Sequence, residues 1–592
     1  MSRWQPRHKR HESSPSPHPT AAAARLGSTS PRVGRPGLRL LPRILVDEEE
    51  EDRRIDRADP FAKRSREPEP RSIGLRWVIL VAAGAAVPRL VYLFVFSDPE
   101  NAGQGFTDAY HHWQIAYLTK EIGLSHGPRL WDMRGYEYVW GPLHPLLMNL
   151  LFFATGSVDI VVARLLSLAF GSLAVVLIFL LCHRYWGMPV AIAASAFAAL
   201  SPASVFNDDA GMVEPIAIAL LLLGIWLTPK RGFWAGVAWG LAAWARVEAW
   251  LFGAGLVVAW ILGRRSAAHS LPLVVGWVLV IGLYLKFLLD QTGSVIYTLY
   301  WNFQFVALGS QETTSALTAD QQLLRIPIGA VVIVSAAGLA WSLWKRPASY
   351  LLLTYGFGYW VFQAGTIGFT YYLHHTSEWM ERRFEFPLDF AAILGAVFLF
   401  KLLPMWAPRL RSTGWVVATV VVVAIQAYWS PIQSAYSATE VSFQDQVQLG
   451  RAIGDVYNRP EFKGGVIGVP GDSPTLVYTM ARYGGVPGDR LTSEFYDPFY
   501  YLPGGYHYTD HKQVAGILLQ CWLSKTHIQL LIVPPATAFN ASVPDYLAFM
   551  SDNPQWFTQT GGQLGDGFAI VAVHVPPPSA AECARAARDA IA

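Results

Sequence analysis

The sequence predicts a polytopic α-helical membrane protein that carries an α/β domain at its C-terminus. Of its 592 residues 52% are hydrophobic and only 15% are charged, which is a more apolar composition than soluble domains have. Apolar stretches of spanning length recur between residues 74 and 430. After residue 430 they stop, and short strand-like segments alternate with helix-like ones.

Eleven apolar stretches have about the 20 residues that a membrane-spanning helix needs. They are 74–96, 161–182, 189–206, 213–228, 232–248, 249–263, 271–290, 326–344, 349–367, 386–402 and 413–430. Basic residues fall at every second boundary, as the positive-inside rule requires. This pattern predicts a cytosolic N-terminus and places four loops, 97–160, 206–214, 291–325 and 368–385, on the external side with everything after residue 430.

The regions before and after these stretches differ in composition. Residues 1–72 are rich in Ser, Pro and Arg, which predicts a disordered cytosolic tail rather than a nucleic-acid-binding arm. Residues 73–430 form the predicted transmembrane domain, and 142–155, too short to span, is predicted as an interfacial helix of the first external loop. Residues 431–592 are predicted to form an external α/β domain.

Within the C-terminal domain, the predicted strands are 465–469, 530–533 and 568–575, and helix-like stretches occupy 443–457 and 511–524.

The three cysteines form neither a disulfide framework nor a zinc site, because their number and spacing fit neither pattern. Cys182 lies in an apolar run, and Cys521 and Cys583 lie in the C-terminal domain. Two separate buried thiols are the favoured interpretation of this last pair, and a Cys521–Cys583 bridge is the alternative.

Ionisable side chains recur on the predicted external side, where charge at membrane depth is costly and therefore indicates function. The candidates are Arg89 in the first span, Asp108, His111 and His112 in the first external loop, Asp208, Asp209 and Glu214 at the second, Arg246 at the outer end of a span, and His374, His375, Arg382 and Arg383 in the fourth loop. Carboxylates abstract hydroxyl protons or bind divalent cations, and guanidinium groups bind phosphate in a bidentate manner. The combination predicts a reaction on a lipid-linked phosphate at the external face.

Asp108 is the predicted base of this site, and the two histidines beside it are predicted to contact substrate. Adjacent residues of a helix point in different directions, so His111 and His112 are poorly placed to bind one metal ion together. His111 lies three residues after Asp108, on the same helical face, and is the favoured contact residue.

Short motifs follow one another in a fixed order between residues 74 and 250. They are Arg89, 106–111 (Phe-Thr-Asp-Ala-Tyr-His), 141–147 (Gly-Pro-Leu-His-Pro-Leu-Leu), 163–166 (Ala-Arg-Leu-Leu), 183–187 (His-Arg-Tyr-Trp-Gly), 201–202 (Ser-Pro), 213–215 (Val-Glu-Pro) and 245–248 (Ala-Arg-Val-Glu). Their order resembles the N-terminal half of the C-type (GT-C) membrane glycosyltransferases, nearest the protein O-mannosyltransferase and aminoarabinose-transferase-like branch. The resemblance extends more loosely to 383–387 and to the C-terminal domain.

This resemblance implies an inverting hexosyl- or pentosyltransferase that moves a sugar from a polyprenyl- or dolichyl-phosphate donor to a hydroxyl of a protein, lipid or glycan. It implies that Asp108 is the catalytic base and that Asp208 and Asp209 bind substrate or metal. Glu214 matches the family's acidic residue before proline after the second external loop and is expected to bind substrate. It assigns the donor phosphate to Arg383, with Arg382 as a close alternative. Whether a divalent cation, Mg²⁺ or Mn²⁺, binds at Asp108 and Asp209 stays open.

Two departures from the family pattern bear on the function. The Asp-Glu pair of the first loop is Asp108-Ala109, and the Trp-Trp-Asp motif of oligosaccharyltransferases is missing. An oligosaccharyltransferase-like enzyme is therefore only an alternative. A lipid or sugar transporter or flippase is the alternative from another class, but the inverted repeats typical of transporters are not evident. The plasma membrane is favoured over the endoplasmic reticulum as the location.

Overall fold

A computed structural model of the protein describes most of the chain after residue 72. The described ranges are 73–102, 108–123, 141–228, 231–251, 267–302, 385–410, 413–427, 429–470, 473–493, 516–534, 543–561 and 567–591. The tail 1–72, the predicted spans 326–344 and 349–367, and most of the predicted span 249–263 lie outside these ranges.

Twelve helices precede the C-terminal domain in the described ranges. They are α1 (Leu75–Val91, continued by a π-helical segment Tyr92–Phe96), α2 (Asp108–Ile122), α3 (Leu143–Thr155), α4 (Ile160–Trp186), α5 (Met188–Ala199), α6 (Pro202–Asp209), α7 (Glu214–Leu227), α8 (Gly232–Ala245), α9 (Ala267–Thr292), α10 (Tyr297–Asn302), α11 (Glu385–Val397, continued by Phe398–Leu402 and Leu403–Trp406) and α12 (Thr413–Gln426). Short 3₁₀ turns follow α8 (Val247–Leu251) and precede α12 (Pro408–Leu410).

Three helices of the described chain are long and apolar enough to cross a bilayer, over Leu75–Phe96, Ile160–Trp186 and Leu271–Asp290. The pair α5 and α6 makes a fourth if it is counted as one span, and it bends by 59°. The bend follows from Pro202, because proline lacks an N–H and disfavours helical backbone at the residue before it. The predicted single span 189–206 is thus bent within its length, and the predicted count of eleven spans is not confirmed by the described residues.

Helix α4 lies at the centre of the helical part and packs against α1, α5 and α7. Alanine and β-branched residues fill the core between these helices, and such small side chains allow helices to approach closely. The outward faces carry large exposed apolar side chains, which include Leu80, Phe94, Val95, Val275, Leu283, Val416 and Val423. Such exposure would be costly in water. The chain is therefore an integral membrane protein.

The segment 142–155 is helical, as predicted. Helix α3 buries Met148 and Phe152 on one side and exposes Leu146, Leu150 and Phe153 on the other. Its buried side packs against α2, where the Asn149 side chain donates a hydrogen bond to the Ala116 carbonyl at 3.0 Å. The location of α3 at the membrane interface stays a prediction.

The C-terminal part contains a five-stranded mixed sheet. It comprises α13 (Trp429–Tyr457), β1 (Val466–Val469), α14 (Pro474–Arg482), β2 (Leu491–Ser493), α15 (Gly516–Thr526), β3 (Ile528–Val533), α16 (Val543–Asp552), β4 (Phe557–Gln559), β5 (Ala569–Val573) and α17 (Ala580–Ile591), with 3₁₀ turns at Gly488–Arg490 and Pro554–Trp556. The strand order is β2-β1-β3-β5-β4. Strand β1 runs parallel to β2 and β3, and β5 runs antiparallel to β3 and β4. The three predicted strands are confirmed.

Helices cover this sheet on both faces. Leu530 and Ile532 of β3 point to one face, which α13 and α14 cover, and Leu531 and Val533 point to the other, which α15 and α16 cover. A strand that is buried on both faces reads as a nearly continuous apolar run, and β3 has the sequence Ile-Gln-Leu-Leu-Ile-Val. The face under α13 and α14 also includes residues of α2, so the domain packs directly on α2, in the predicted first external loop.

The two C-terminal cysteines are bonded to each other, so the favoured interpretation of two separate thiols was wrong. The Cys521–Cys583 disulfide joins α15 to α17 across 62 residues of sequence. Cys182 is free and buried among apolar side chains of α4. Sequence spacing did not reveal the bridge, because the contact between α15 and α17 depends on how the chain returns through β5.

Removal of the disulfide should loosen the α/β domain without unfolding the membrane part. A bridge that closes a loop of this length stabilises a domain by about 2–4 kcal/mol. We expect the Cys521→Ser, Cys583→Ser double variant to lose protease resistance in residues 516–591 at a lower temperature than the wild type. Reductant should shift the wild type to the same temperature and leave the double variant unchanged. Equal resistance of both proteins would contradict this role of the bridge.

Candidate active site

A buried ion pair joins α1 to α6 at one end of the helical part. Arg89 donates to Asp208 through Nε at 2.6 Å, and its Nη2 lies 2.5 Å from the same carboxylate oxygen. Both side chains are only 1% exposed. Arg89 also donates to the carbonyls of Ala85 and Ala199 at 2.8 Å and 3.3 Å. Buried charges of this kind persist only when they are paired and hydrogen-bonded.

The third helix at this pair is α4, which approaches through Gly171. A Cβ at this position would overlap the Asp208 carboxylate, so only glycine leaves room for the acid on the surface of α4. Asp389 on α11 is also buried and interacts electrostatically with both Asp208 and Arg89. Four helices therefore meet at one ionic cluster.

Arg164 holds the neighbouring segments together. Its guanidinium donates to the carbonyls of Asp209 at 2.6 Å, Asp98 at 2.5 Å and Asn101 at 3.2 Å, and to the Ser97 hydroxyl at 3.1 Å. It thereby ties the chain after α1 to the end of α6. Because most of these contacts are to backbone carbonyls, Arg164 fixes loop conformation and leaves the acidic side chains available.

Asp209 is an acid of this region whose side chain has no hydrogen bond among the described residues. Its side chain is fully buried, and neither carboxylate oxygen accepts a hydrogen bond there. The charges near it are those of Arg164, Asp208 and Arg89. Both amide atoms of the Asn207 side chain are likewise buried without a described partner. Unsatisfied buried polar groups are costly and indicate a site that a ligand completes.

The turn after Asp209 brings it next to the start of α2. A Cβ placed on Gly211 would lie 3.7 Å from Cβ of Ala109 and 3.4 Å from Cγ of Arg164. Asp108 immediately precedes Ala109 and begins α2. The acids of the first and second predicted external loops thus lie in adjacent segments, as the sequence predicts.

A second ionic pair extends the site toward α8. Arg246 Nη1 donates to Glu214 Oε1 at 3.0 Å, and the other oxygen of Glu214 is buried without a described hydrogen bond. His112 of α2 lies near Arg246, and its ring centre is 4.9 Å from that of His144 on α3. Gly141, at φ +98°, lets the chain before α3 lie directly on the backbone of Trp244 and Ala245, where a Cβ would overlap.

Burial keeps the two histidines of this cluster neutral. It lowers the pKa of His144 to about 3 and lowers the pKa of His112 well below its usual value, to which the neighbouring His144, His111 and Arg246 also contribute. Neutral imidazoles accept and donate hydrogen bonds but provide no positive charge for a phosphate. In this cluster, positive charge comes from Arg246.

The residues predicted from the sequence divide into three groups. Arg89 and Asp208 bind each other inside the helical part. The second group lies in adjacent segments around the start of α2 and comprises Asp108, Asp209, His111, His112, Glu214 and Arg246. His374, His375, Arg382 and Arg383 lie outside the described residues.

Sequence reasoning assigned no role to three residues that the structure places in or beside the clusters. Arg164 and Asp389 lie inside predicted spans, so the rule that marks intramembrane charge as functional identifies both. His144 occurs in the motif Gly-Pro-Leu-His-Pro, but nothing in its spacing predicts the contact with His112.

The described residues contain no group of three or more His, Cys, Asp or Glu side chains arranged to bind a metal ion. The proposed pair Asp108 and Asp209 therefore lacks a third described ligand of these types. A metal at this pair stays a prediction, and no chemical step below depends on it.

Loss of one partner of the Arg89–Asp208 pair should destabilise the protein more than loss of both. Arg89→Met leaves a buried carboxylate without its main partner, which costs about 3–5 kcal/mol. The Arg89→Met, Asp208→Leu double variant should recover part of this loss in thermal unfolding in detergent. Additive losses in this double-mutant cycle would show that the two side chains do not stabilise each other.

Acid should destabilise the protein partly through His144. Its pKa is about 3 in the folded state, against about 6.5 when unfolded. As pH falls, the unfolded state therefore binds the proton before the folded state does. The stability that the neutral ring contributes above pH 6.5 is lost as pH falls toward 3, and the free energy of unfolding decreases by about 1.4 kcal/mol per pH unit. Between neutral pH and pH 5, the melting temperature of His144→Gln should fall less than that of the wild type. The matched control is His574→Gln, because His574 is exposed in the loop that follows β5, and this variant should behave like the wild type.

No protein-family model matches the chain, and no curated protein matches it by sequence. Solved structures do match the chain in fold. ArnT from Cupriavidus metallidurans bound to undecaprenyl phosphate is 16% identical, with a TM-score of 0.51, over 86% of this chain and 100% of that chain. Apo ArnT is 14% identical over 85% and 99%, with a TM-score of 0.48. The oligosaccharyltransferase AglB from Archaeoglobus fulgidus, with an inhibitory peptide and dolichol-phosphate, is 11% identical over 77% and 69%, with a TM-score of 0.43.

Of these three structures, undecaprenyl-phosphate-bound ArnT has a TM-score above 0.5, and at 16% identity its likeness to this chain establishes the fold alone. The resemblance seen in the sequence motifs is confirmed at that level. The chain has the fold of ArnT, which is that of the C-type membrane glycosyltransferases.

Proposed function

We propose that the protein is an inverting glycosyltransferase that moves a sugar from a polyprenyl-phosphate donor to an acceptor hydroxyl at the external membrane face. The observation that carries this proposal is that two segments with acids, from different predicted loops, lie side by side at the start of α2. Asp209 is buried with both carboxylate oxygens unsatisfied among the described residues, and the turn that follows it packs against Ala109, next to Asp108.

The chemistry follows from what these groups do. The Asp108 carboxylate takes the proton of the acceptor hydroxyl as its oxygen forms a bond to the anomeric carbon of the sugar. The bond between that carbon and the phosphate oxygen breaks on the opposite side, and the polyprenyl phosphate leaves with the electron pair. The configuration at the anomeric carbon inverts. Asp108 ends protonated and returns the proton to water.

The other groups of the site are assigned by charge. Arginine stabilises the negative charge that grows on the departing phosphate, and we assign this role to Arg383 or Arg382, with Arg246, whose charge acts on His112, as a further candidate. His111 and His112 contact substrate, His112 as a neutral hydrogen-bonding group, and Asp209 and Glu214 accept hydrogen bonds from hydroxyls. The sugar itself, hexose or pentose, is not assigned by these residues.

Two further findings support the donor and the face. ArnT, which shares the fold, is bound to undecaprenyl phosphate in its solved structure. The Cys521–Cys583 disulfide supports an external α/β domain, since disulfides persist in oxidising compartments and are rare in the cytosol. The domain packs against α2, so the same side of the membrane carries Asp108.

Removal of the proposed base should abolish transfer while the protein stays folded. Asp108→Asn keeps the shape of the side chain and removes its basicity, so we expect turnover to fall by about 10²–10⁴-fold. The assay measures transfer in proteoliposomes from a polyprenyl-phosphate sugar that the wild type uses. Glu121→Gln, near the other end of α2, is the matched control and should retain activity. Turnover of Asp108→Asn close to that of the wild type would overturn this role.

A further inference from the structure

Helix α2 has two faces with different partners. Tyr110, Trp113 and Tyr117 are spaced by three and four residues and form one buried aromatic face. At 3.6 residues per turn, Asp108 and His112 lie on the opposite side of the helix. The aromatic face therefore determines how the face that carries the proposed base is turned.

The aromatic face packs on α14 of the C-terminal domain. The ring of Tyr478 lies edge-on to Trp113, with centres 4.9 Å apart, and 5.2 Å from the ring of Tyr110. Trp113 stacks on Tyr117 at 4.7 Å, and the Tyr117 hydroxyl accepts a hydrogen bond from the Gly488 amide at 3.1 Å. All four rings are buried.

Helix α14 is in turn bound to the membrane part. The Tyr478 hydroxyl donates to Asp159 Oδ1 at 3.2 Å, and Asp159 caps the N-terminus of α4 by accepting from the Val161 amide. Arg482 pairs with Glu100 at 2.9 Å and lies 3.5 Å from Asp159. The Tyr110 hydroxyl donates to the Glu100 carbonyl at 2.8 Å, which connects α2 to the same segment.

The magnitudes indicate which of these contacts holds α2. Arg482 is 47% exposed, and ion pairs at such exposure contribute little to stability because water screens them. Burial of an aromatic ring contributes more, and each favourable ring pair adds to it. Tyr478 contacts two rings of α2 and also donates to Asp159, so it is the central residue of the interface.

We infer that Tyr478 of the C-terminal domain is a positioning residue for the base on α2, an inference that rests on the proposed function. Its ring fixes the rotation of α2, and its hydroxyl ties that rotation to the end of α4. Through this contact the C-terminal domain determines the geometry of the proposed base. A displacement of about 1 Å at a reacting group reduces the rate by about 10²-fold, so a small change at this interface has a large effect.

The test compares three full-length variants in lipid nanodiscs. Tyr478→Ala removes the ring, and Tyr478→Phe keeps the ring but removes the hydroxyl. Phe549→Ala removes a buried ring from the other face of the same sheet, away from α2, and so controls for general loosening of the domain. Two quantities are measured for each: hydrogen exchange of the α2 amides, and kcat and KM for the polyprenyl-phosphate sugar.

For Tyr478→Ala we expect faster exchange in α2 and a kcat about 10- to 100-fold lower, with KM for the donor changed far less. Tyr478→Phe should restore most of both, and Phe549→Ala should leave α2 exchange and kcat near the wild-type values. Equal effects of Tyr478→Ala and Phe549→Ala would overturn the inference, as would faster α2 exchange with unchanged kcat. A wild type that transfers no sugar would refute the proposed function instead, and the exchange measurement would still decide whether Tyr478 holds α2.

Discussion

The buried ion pair of Arg89 and Asp208 is the interaction on which the arrangement of the helical part depends. Neither charge is stable alone at that depth, so α1 and α6 must meet where the pair forms. Gly171 of α4 provides the space for the carboxylate, and Asp389 of α11 completes the cluster. One electrostatic requirement thus sets the relative positions of four helices and the point at which α6 ends.

The end of α6 explains why two neighbouring aspartates differ. Asp208 is paired with Arg89, whereas the next residue, Asp209, immediately precedes the turn that packs on the start of α2, and its carboxylate has no described hydrogen-bond partner. Arg164 holds the Asp209 backbone rather than its side chain. Asp208 therefore fixes the position of Asp209, whose carboxylate remains available to a ligand. The bend at Pro202 allows α6 to carry both acids at this place.

The C-terminal domain also helps to position α2. Helix α2 lies between the helical part and α14, with its aromatic face against Tyr478 and Ala109 beside the turn at Gly211. The proposed base is thus positioned by contacts on two sides of α2, one made by the membrane part and one by the α/β domain. This arrangement gives a physical reason for the close packing of the α/β domain on α2.

Periodicity and composition predicted the local elements well. Helix α3 and the strands β1, β3 and β5 occur where the apolar patterns place them, because each pattern reflects burial of nearby side chains. The motif order also identified the fold. What sequence could not show were contacts between distant residues: Arg89 with Asp208, His112 with His144, and Cys521 with Cys583. These depend on the tertiary arrangement, and no local pattern records it.

If the proposed function is correct, a polyprenyl phosphate binds where α2 meets the turn between α6 and α7. Photocrosslinking in proteoliposomes tests it without knowledge of the sugar, with a polyprenyl phosphate that carries a diazirine in its first isoprene unit. We expect saturable adducts on peptides that contain Asp108, Asp209 to Glu214, or Arg246. Unlabelled polyprenyl phosphate should compete with the probe and reduce these adducts. Adducts confined to lipid-facing residues such as Phe94, Val95 and Val416, without competition, would contradict it.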